Sequence, residues 1–369
     1  MENLETQERV LNETRVYRGS DLFKEILPRL RAEFREGALF FLYEDGQKDI
    51  ADKLIAELKK GGYRLCISCQ SEFGNEGASE TVPDYARYVF ALGATKTAGV
   101  AKGVADKLNV GWSLYLTAPD GDDFMCKNAP NQVFIDENVL IKCSCEQIAA
   151  GYGILLSKKF SAFEDAFSEK VLSKKRALGN DFEIEKVKTA GDLAESLLTF
   201  SSKKKTVDSA ERMAKIMRAL ALQKGRKPRL DGEYRFLASA TISSFYSAFL
   251  GAPSIDGAPP AEREVAFDKL SALNVEPINP KCVDFFDING YFRIDYILSE
   301  YRMDLLEKLA GIDVHGMQRF WRRLYDDAGY WLKSEISASE TLSCMALAGA
   351  VSDNLLGYAY ASGFMKKFG

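Results

Sequence analysis

The chain has 369 residues, more than one compact core usually holds, so two domains are expected. Hydrophobic residues make up 46% and charged residues 28%, which is typical of a globular protein. The net charge of −4, without a long basic block, argues against nucleic acid as a partner, and no apolar run has the ~18–20 residues of a membrane-spanning helix.

The N-terminal part begins with polar and acidic residues 1–8, the opposite of a secretion signal, so a cytoplasmic protein is expected. Strands and helices then alternate, as in a parallel, doubly wound, Rossmann-like sheet. Apolar spacing predicts a helix at Lys48–Lys60. The predicted strands are Ala38–Tyr43, Tyr63–Ser68, Ala86–Leu92, Val110–Leu116 and Gln132–Ile135.

The strand that ends at Leu92 turns directly into a helix predicted at Ala98–Leu108. Backbone N–H groups at the start of a helix lack intrahelical acceptors and attract phosphate. Contacts to the pyrophosphate of a nucleotide are therefore expected from the residues of this turn, Gly93, Ala94, Thr95 and Lys96. The alternative is an ordinary strand-to-helix turn, because the motif is neither a G-x-G-x-x-G nor a P-loop.

Helical periodicity dominates from Ser144 onward. We therefore expect a nucleotide-binding α/β domain over residues 1–144 and an all-α domain over residues 145–369. The predicted helices of the second part are Glu146–Leu172, Lys188–Phe200, Val207–Gln223, Gly232–Leu250, Ala261–Leu273, Asp295–Arg323 and Glu340–Lys367. Loops are predicted at Ser201–Lys205 and Pro253–Pro260.

Histidine and cysteine limit the site chemistry. His315 is the single histidine of the chain, so a site that needs two histidines cannot form within it. The pair Cys66 and Cys69 has C-x-x-C spacing, and Cys143 and Cys145 are also close together. A four-thiolate zinc site is conceivable, but Cys66 falls within a predicted strand, where it is typical of a small apolar residue.

The layout of a parallel-sheet domain followed by a helical domain resembles the superfamily of iron-containing alcohol dehydrogenase, glycerol-1-phosphate dehydrogenase and 3-dehydroquinate synthase. The similarity is greatest to the glycerol and glycerol-1-phosphate dehydrogenase branch. Three adjacent glycines of the family match Gly93-Ala94-Thr95, and a later lysine matches Lys102. Residues Leu116–Asp123 resemble the family's threonine-rich loop, in which Thr117 and Asp122 match best. Pro130–Asp136 and Ala149–Gly153 resemble the segments that follow.

This resemblance implies a dehydroquinate synthase-like fold with a ligand between the two domains. It implies NAD or NADP as cofactor, with Thr117 and Asp122 among the binding residues. Lys102 would then contact the nicotinamide or a substrate oxygen, although a solvated helix lysine gives the same pattern. For Asp122 the alternative is ordinary turn chemistry. Dimers are common in the family, so a homodimer is allowed by the resemblance.

The chain departs from the family at the residues that hold its divalent metal ion. The first ligand position is Ile154. Separately from the metal ligands, Gly99 stands where the family has an aspartate that would orient the substrate. A histidine position falls near Glu233-Tyr234-Arg235, which contains none. We therefore expect no bound zinc or iron. Arg235 could supply a fixed positive charge in place of the metal, or it could belong to an exposed polar first turn of a helix.

Three functional hypotheses follow. In the first, a dehydrogenase-like protein that has lost its metal ligands binds a nucleotide or sugar phosphate without catalysis. In the second, the protein is an active, metal-independent NAD(P)-dependent oxidoreductase of a polyol or its phosphate, with Lys102 or Arg235 as the catalytic electrophile. In the third, it is a purely structural subunit. The joint changes at Gly99 and Ile154 favour the first.

Overall fold

The computed structural model describes residues 6–73, 82–121, 125, 128–172, 186–201, 208–252, 264–275, 288–312 and 336–367. Several predictions concern residues outside these ranges: those for Asp122 and His315, for the loops at 202–205 and 253–260, and for the last part of the Asp295–Arg323 helix. The chain forms two compact units. The first contains Met1–Gly151 and Glu185–Lys203, and the second contains Tyr152–Ile184 and Lys204–Gly369.

A sheet of seven strands forms the centre of the first unit, in the order β1-β2-β7-β6-β5-β3-β4. The strands are β1 Gln7–Leu11, β2 Thr14–Gly19, β3 Ala38–Tyr43, β4 Arg64–Cys69, β5 Tyr88–Gly93, β6 Gly111–Leu116 and β7 Gln132–Asp136. The β1–β2 pair is antiparallel, and all the remaining pairs are parallel. The predicted parallel sheet is confirmed.

The helices of the first unit that the sequence predicts lie within a few residues of their predicted bounds. They are α1 Phe23–Glu33, α2 Lys48–Lys60, α3 Thr95–Leu108, the short α4 Glu137–Leu140, and α6 Ala190–Ser201. The observed α2 has the predicted bounds, and α3 begins three residues before its prediction. The sequence reading missed β1, β2 and α1. Strand β1 is mostly exposed, and α1 carries Pro28 in its interior, so neither has a plain pattern.

Buried side chains cover both faces of the sheet. On one face, Leu39, Phe41 and Phe90 pack with the buried side of α1 and α2. On the other, Phe40, Val89 and Trp112 pack with α3. Adjacent residues of a strand thus serve opposite faces, which is why these strands read as continuous apolar runs.

Helix α6 belongs to the first unit although it follows a long helix of the second. Arg18 on β2 donates from Nε to Glu137 Oε1 at 2.8 Å, and its Nη1 lies 2.9 Å from Asp192 Oδ1 and 3.1 Å from Glu195 Oε2. Gly191 allows the close approach, since a Cβ there would lie 2.0 Å from Glu137 Oε1. These contacts fix α6 against the sheet, whereas the expected boundary after residue 144 assigns its residues to the second domain.

The second unit is helical throughout its described residues. Its helices are α5 Cys145–Leu172 (which begins in the first unit), α7 Ser209–Gln223, α8 Asp231–Gly251, α9 Glu264–Ala272, α10 Ile288–Ala310, α11 Ala338–Ala350 and α12 Leu355–Ala361. The helix predicted over Glu340–Lys367 is two helices, because the chain turns at Val351–Asn354 and Asn354 caps α12. Among the described residues, no helix is both long and apolar enough to cross a membrane.

Truncation of Phe134 should destabilise the first unit. Its ring packs against those of Tyr17, Phe90 and Tyr115 at centroid distances of 5.3, 6.1 and 6.1 Å. We expect Phe134→Ala to lower the free energy of unfolding by about 3–5 kcal/mol in urea titrations, because it leaves a cavity. Tyr85→Ala, at a residue that is 63% exposed, is the control and should change it by less than about 0.5 kcal/mol.

Candidate functional site

The turn from β5 to α3 lies at the point where the sheet reverses its winding direction. Strand β5 lies between β3 and β6, and the chain leaves β3 toward β4 on one side and β5 toward β6 on the other. In open α/β sheets, ligands bind at such a point, outside the carboxyl ends of the strands. The residues that follow β3, β5 and β6 are therefore the candidate site.

Local packing fixes the backbone of this turn. A Cβ on Gly93 would lie 2.4 Å from Thr97 Oγ1, so the position accepts only glycine without a shift. The Thr97 hydroxyl donates to Gln70 Oε1 at 2.6 Å. Ala94 is the N-cap residue of α3 and has an extended backbone. Its methyl side chain cannot accept a hydrogen bond from the first amides of the helix.

Two carboxylates from elsewhere in the first unit accept hydrogen bonds from these amides. The Ala94 N–H donates to Glu44 Oε2 at 3.2 Å, and the Thr95 N–H donates to Asp120 Oδ1 at 3.1 Å. Each carboxylate also accepts a hydrogen bond from a threonine hydroxyl. Thr117 Oγ1 donates to Glu44 Oε2 at 3.0 Å, and Thr95 Oγ1 donates to Asp120 Oδ1 at 2.9 Å. Two of the backbone donors that a pyrophosphate would use thus already have carboxylate partners within the chain.

Burial raises the pKa of Asp120, and the charge of Glu44 acts in the same direction, although hydrogen bonds from Thr95 oppose the shift. The neighbouring Cys143 thiol donates to the Thr117 carbonyl at 2.9 Å. Burial first, and then the charges of Asp120 and Glu44, raise the pKa of Cys143 to about 12. This thiol therefore stays protonated at neutral pH and is a poor nucleophile.

The sequence predicted this turn and Thr117, and the structure brings them together. Glu44 and Asp120 were missed as partners of the turn. Glu44 directly follows β3, and a polar residue after a buried strand was the available signal. Lys96 is exposed at the turn, while Lys102 is half-buried further along α3, about 10 Å from Thr95 by helical rise.

The cysteine pairs do not form a metal centre among the residues that the structure describes, where no group of three or more histidine, cysteine or acidic side chains could hold an ion. Cys66 lies in β4, as predicted, and burial raises its pKa. The Cys69 thiol lies 2.5 Å from Asp45 Oδ1. Cys145 is exposed at the start of α5.

In the second unit, α5 and α8 touch where the resemblance places two metal ligands. A Cβ on Gly153 would lie 1.9 Å from the Gly232 carbonyl oxygen, so the helices meet backbone to backbone. Ile154 follows Gly153 and is 1% exposed, and it offers no ligand atom. The residues present at this contact therefore do not fit a divalent metal ion.

Arg235 lies in the same part of α8 and is buried, which contradicts the exposed first turn given above as the alternative. Its Nε donates to Asp231 Oδ2 at 2.5 Å, and its Nη1 lies 3.7 Å from Glu211 Oε2 on α7. Lys158 on α5 reaches Glu211 at 3.6 Å, and Lys215 reaches it at 2.8 Å. Burial would raise the pKa of Glu211, but these three cations hold it below its usual value. We name Lys158, Glu211, Asp231 and Arg235 the helix ion cluster.

A second buried carboxylate, also missed by sequence reading, joins four helices. Glu164 on α5 accepts from Tyr246 at 2.6 Å, from the Ser209 N–H at 2.9 Å and from Asn354 Nδ2 at 2.7 Å. Burial and then the charge of Asp208 raise the pKa of Glu164 to about 7. No periodicity in the sequence distinguishes this glutamate from a solvated one.

Loss of the Arg235 charge should strongly destabilise the helical unit. We expect Arg235→Met to lower the free energy of unfolding by about 3–5 kcal/mol, because Asp231 and Glu211 lose a buried cation. Urea titration followed by circular dichroism measures this change. The exposed Arg218 on α7 provides the control, Arg218→Met, with little effect. A loss below about 1 kcal/mol for Arg235→Met would contradict a structural role for the cluster.

Glu164 should make stability depend on pH in one defined direction. Its folded pKa of about 7 lies above the value of about 4.3 for an unfolded chain, so the folded state keeps the proton between these values. The stability that protonated Glu164 contributes is fully present below pH ~4.3 and is lost as the pH rises through 7, by about 4 kcal/mol in total.

Glu164→Gln removes this titration, and we expect the wild-type protein to lose stability relative to the variant between pH 5 and pH 8. Thermal melts at several pH values measure the difference. Glu169→Gln, at an exposed residue of the same helix, should run parallel to wild type. Parallel curves for the wild-type protein and Glu164→Gln would show that the carboxylate does not titrate in this window.

Comparison with known proteins identifies the fold. No family model matches the sequence, and no curated protein matches it. Among solved structures, maleylacetate reductase from Rhizobium sp. strain MTP-10005 is similar over 100% of this chain and 98% of its own, with a TM-score of 0.53 and 12% identity. A 1,3-propanediol oxidoreductase is similar over 94% and 93%, with a TM-score of 0.50 and 9% identity. Glycerol dehydrogenase from Schizosaccharomyces pombe has a TM-score of 0.49 and 14% identity over 88% and 94%.

The first two similarities carry the fold assignment. The chain has a dehydroquinate synthase-like fold, with an α/β part followed by a helical part, and this fold is similar to that of the maleylacetate reductase and the 1,3-propanediol oxidoreductase. The resemblance read from the sequence is thus confirmed at the level of the fold.

Proposed function

We propose that this chain is a non-catalytic protein with a dehydrogenase fold that binds a small molecule. One observation carries the proposal: a buried isoleucine, Ile154, and a buried, ion-paired arginine, Arg235, stand at positions to which the resemblance assigns metal ligands. A metal ion that polarises a substrate oxygen needs about three protein ligands and an open coordination position. An isoleucine and a guanidinium supply neither.

Arg235 is also a poor replacement for the metal as an electrophile. Its side chain is buried, and Asp231 and Glu211 offset its charge, so little positive field is left for a substrate. The alternative of an active, metal-independent oxidoreductase therefore depends on Lys102. The half-burial of Lys102 on the helix that follows the turn is the observation in its favour.

Two measurements test the proposal. Elemental analysis of protein purified without chelator should find zinc and iron well below one ion per chain. Assays with NAD and NADP, run in EDTA on a panel of polyols and their phosphates, should give no reduced nucleotide. Turnover that Lys102→Met abolishes while the thermal melt is unchanged would instead establish the alternative. Near-stoichiometric metal would contradict the assignment of Ile154 and Arg235.

The ligand should reveal itself by thermal shift. The resemblance suggests a nucleotide, including NAD or NADP, or a sugar phosphate, whereas Glu44 and Asp120 oppose phosphate at the turn. Stabilisation by a ligand without turnover would support a binding protein, and a purely structural subunit would respond to none. A cytoplasmic location and a homodimer are further parts of the proposal.

A further inference from the structure

The start of α3 carries anions in the position that phosphate takes in nucleotide-binding turns. Consecutive amides, of Ala94 and Thr95, donate to two different carboxylates, and neither carboxylate belongs to the turn itself. A helix is usually capped by the side chain of its own N-cap residue, which is an alanine here. The cap is supplied instead by residues that follow β3 and β6, the two strands on either side of β5.

Glu44 is held in this position by its backbone. Its N–H donates to the Leu92 carbonyl at 2.9 Å, which ties the end of β3 to the end of β5. Thr117, whose N–H donates to the Gly93 carbonyl at 3.1 Å, places its hydroxyl against the same carboxylate. Glu44 therefore accepts two hydrogen bonds from a rigid frame made of three strand ends.

Asp120 is held by the packing of the segment after β6. A Cβ on Gly121 would lie 2.1 Å from Thr95 Oγ1, so this segment lies directly on the first turn of α3. On its other side, a Cβ on Gly151 would lie 2.1 Å from the Pro119 carbonyl oxygen, so α5 backs the segment. Asp120 receives both the N–H and the hydroxyl of Thr95.

We propose that Glu44 and Asp120 determine ligand specificity by excluding phosphate and diphosphate esters from this turn. This inference rests on the proposed binding function and narrows its ligand class to molecules that make no phosphate contact at Ala94 and Thr95. A phosphate at these amides needs the same volume as the two carboxylates and meets their negative charge. Removing both carboxylates should leave the amides of Ala94 and Thr95 available to bind an anion.

Calorimetric titration with ADP and with inorganic pyrophosphate tests the exclusion. Wild-type protein should show no binding at millimolar concentration, and Glu44→Ala with Asp120→Ala should bind at least about tenfold more tightly. Asp52→Ala is the control, because it removes an exposed carboxylate of α2. Its affinity should equal that of wild type.

A second variant protects the test against a folding failure. Glu44→Gln with Asp120→Asn removes both charges and keeps an acceptor for each amide, and it should gain affinity by a smaller factor than the alanine pair. Equal affinity in wild type and both double variants would overturn the proposal, as would tight binding of either probe by the wild-type protein. Neither ADP nor pyrophosphate can transfer a hydride, so their binding says nothing about catalysis. If the wild-type protein binds ADP but does not turn over polyols, the exclusion of phosphate is overturned and the proposed non-catalytic function still stands.

Discussion

Two hydrogen bonds at the start of α3 govern what this fold can bind. The amides of Ala94 and Thr95 lie at the partly positive start of a helix, and they donate to Glu44 and Asp120. Two unit charges 4 Å apart interact by about 4 kcal/mol at the effective dielectric constant of a protein surface. The negative charge of a phosphate at this turn would therefore be repelled by the two carboxylates. Carboxylates of the same unit thus occupy a turn that could otherwise attract phosphate.

The helical unit also contains largely buried charged side chains that pair with one another. The helix ion cluster joins α5, α7 and α8 through Lys158, Glu211 and Arg235, close to the backbone contact of Gly153 with Gly232. A buried ion pair is costly to desolvate and is strongly disrupted when one partner is lost. Such a cluster organises helices, but it has no open coordination position at which a substrate oxygen could be polarised.

Sequence reading succeeded where a regular apolar pattern exists. Strands β3 and β6 and helices α2 and α5 have almost the predicted bounds, since buried faces impose a period on the chain. The turn itself was also identified, because a strand that runs directly into a helix is a local signal. The partners of its amides were not, because Glu44 lies fifty residues away and only the sheet order brings it to Ala94. The burial of Arg235 was missed for the same reason, because its partner Glu211 lies on a different helix and no local pattern around Arg235 specifies that contact.

The return of α6 to the sheet has a consequence for how the protein is made. The chain leaves the first unit after Gly151 and comes back at Glu185, so Arg18 and Glu137 meet Asp192 and Glu195 only after part of the other unit has been synthesised. Domains usually fold as units while the ribosome extends the chain. Here the amino-terminal unit cannot finish folding on emerging, because its last helix is still inside the ribosome. The first unit is therefore completed only after residues 152–184 of the second have been made, and a cut near residue 150 would separate a sheet from one of its own helices.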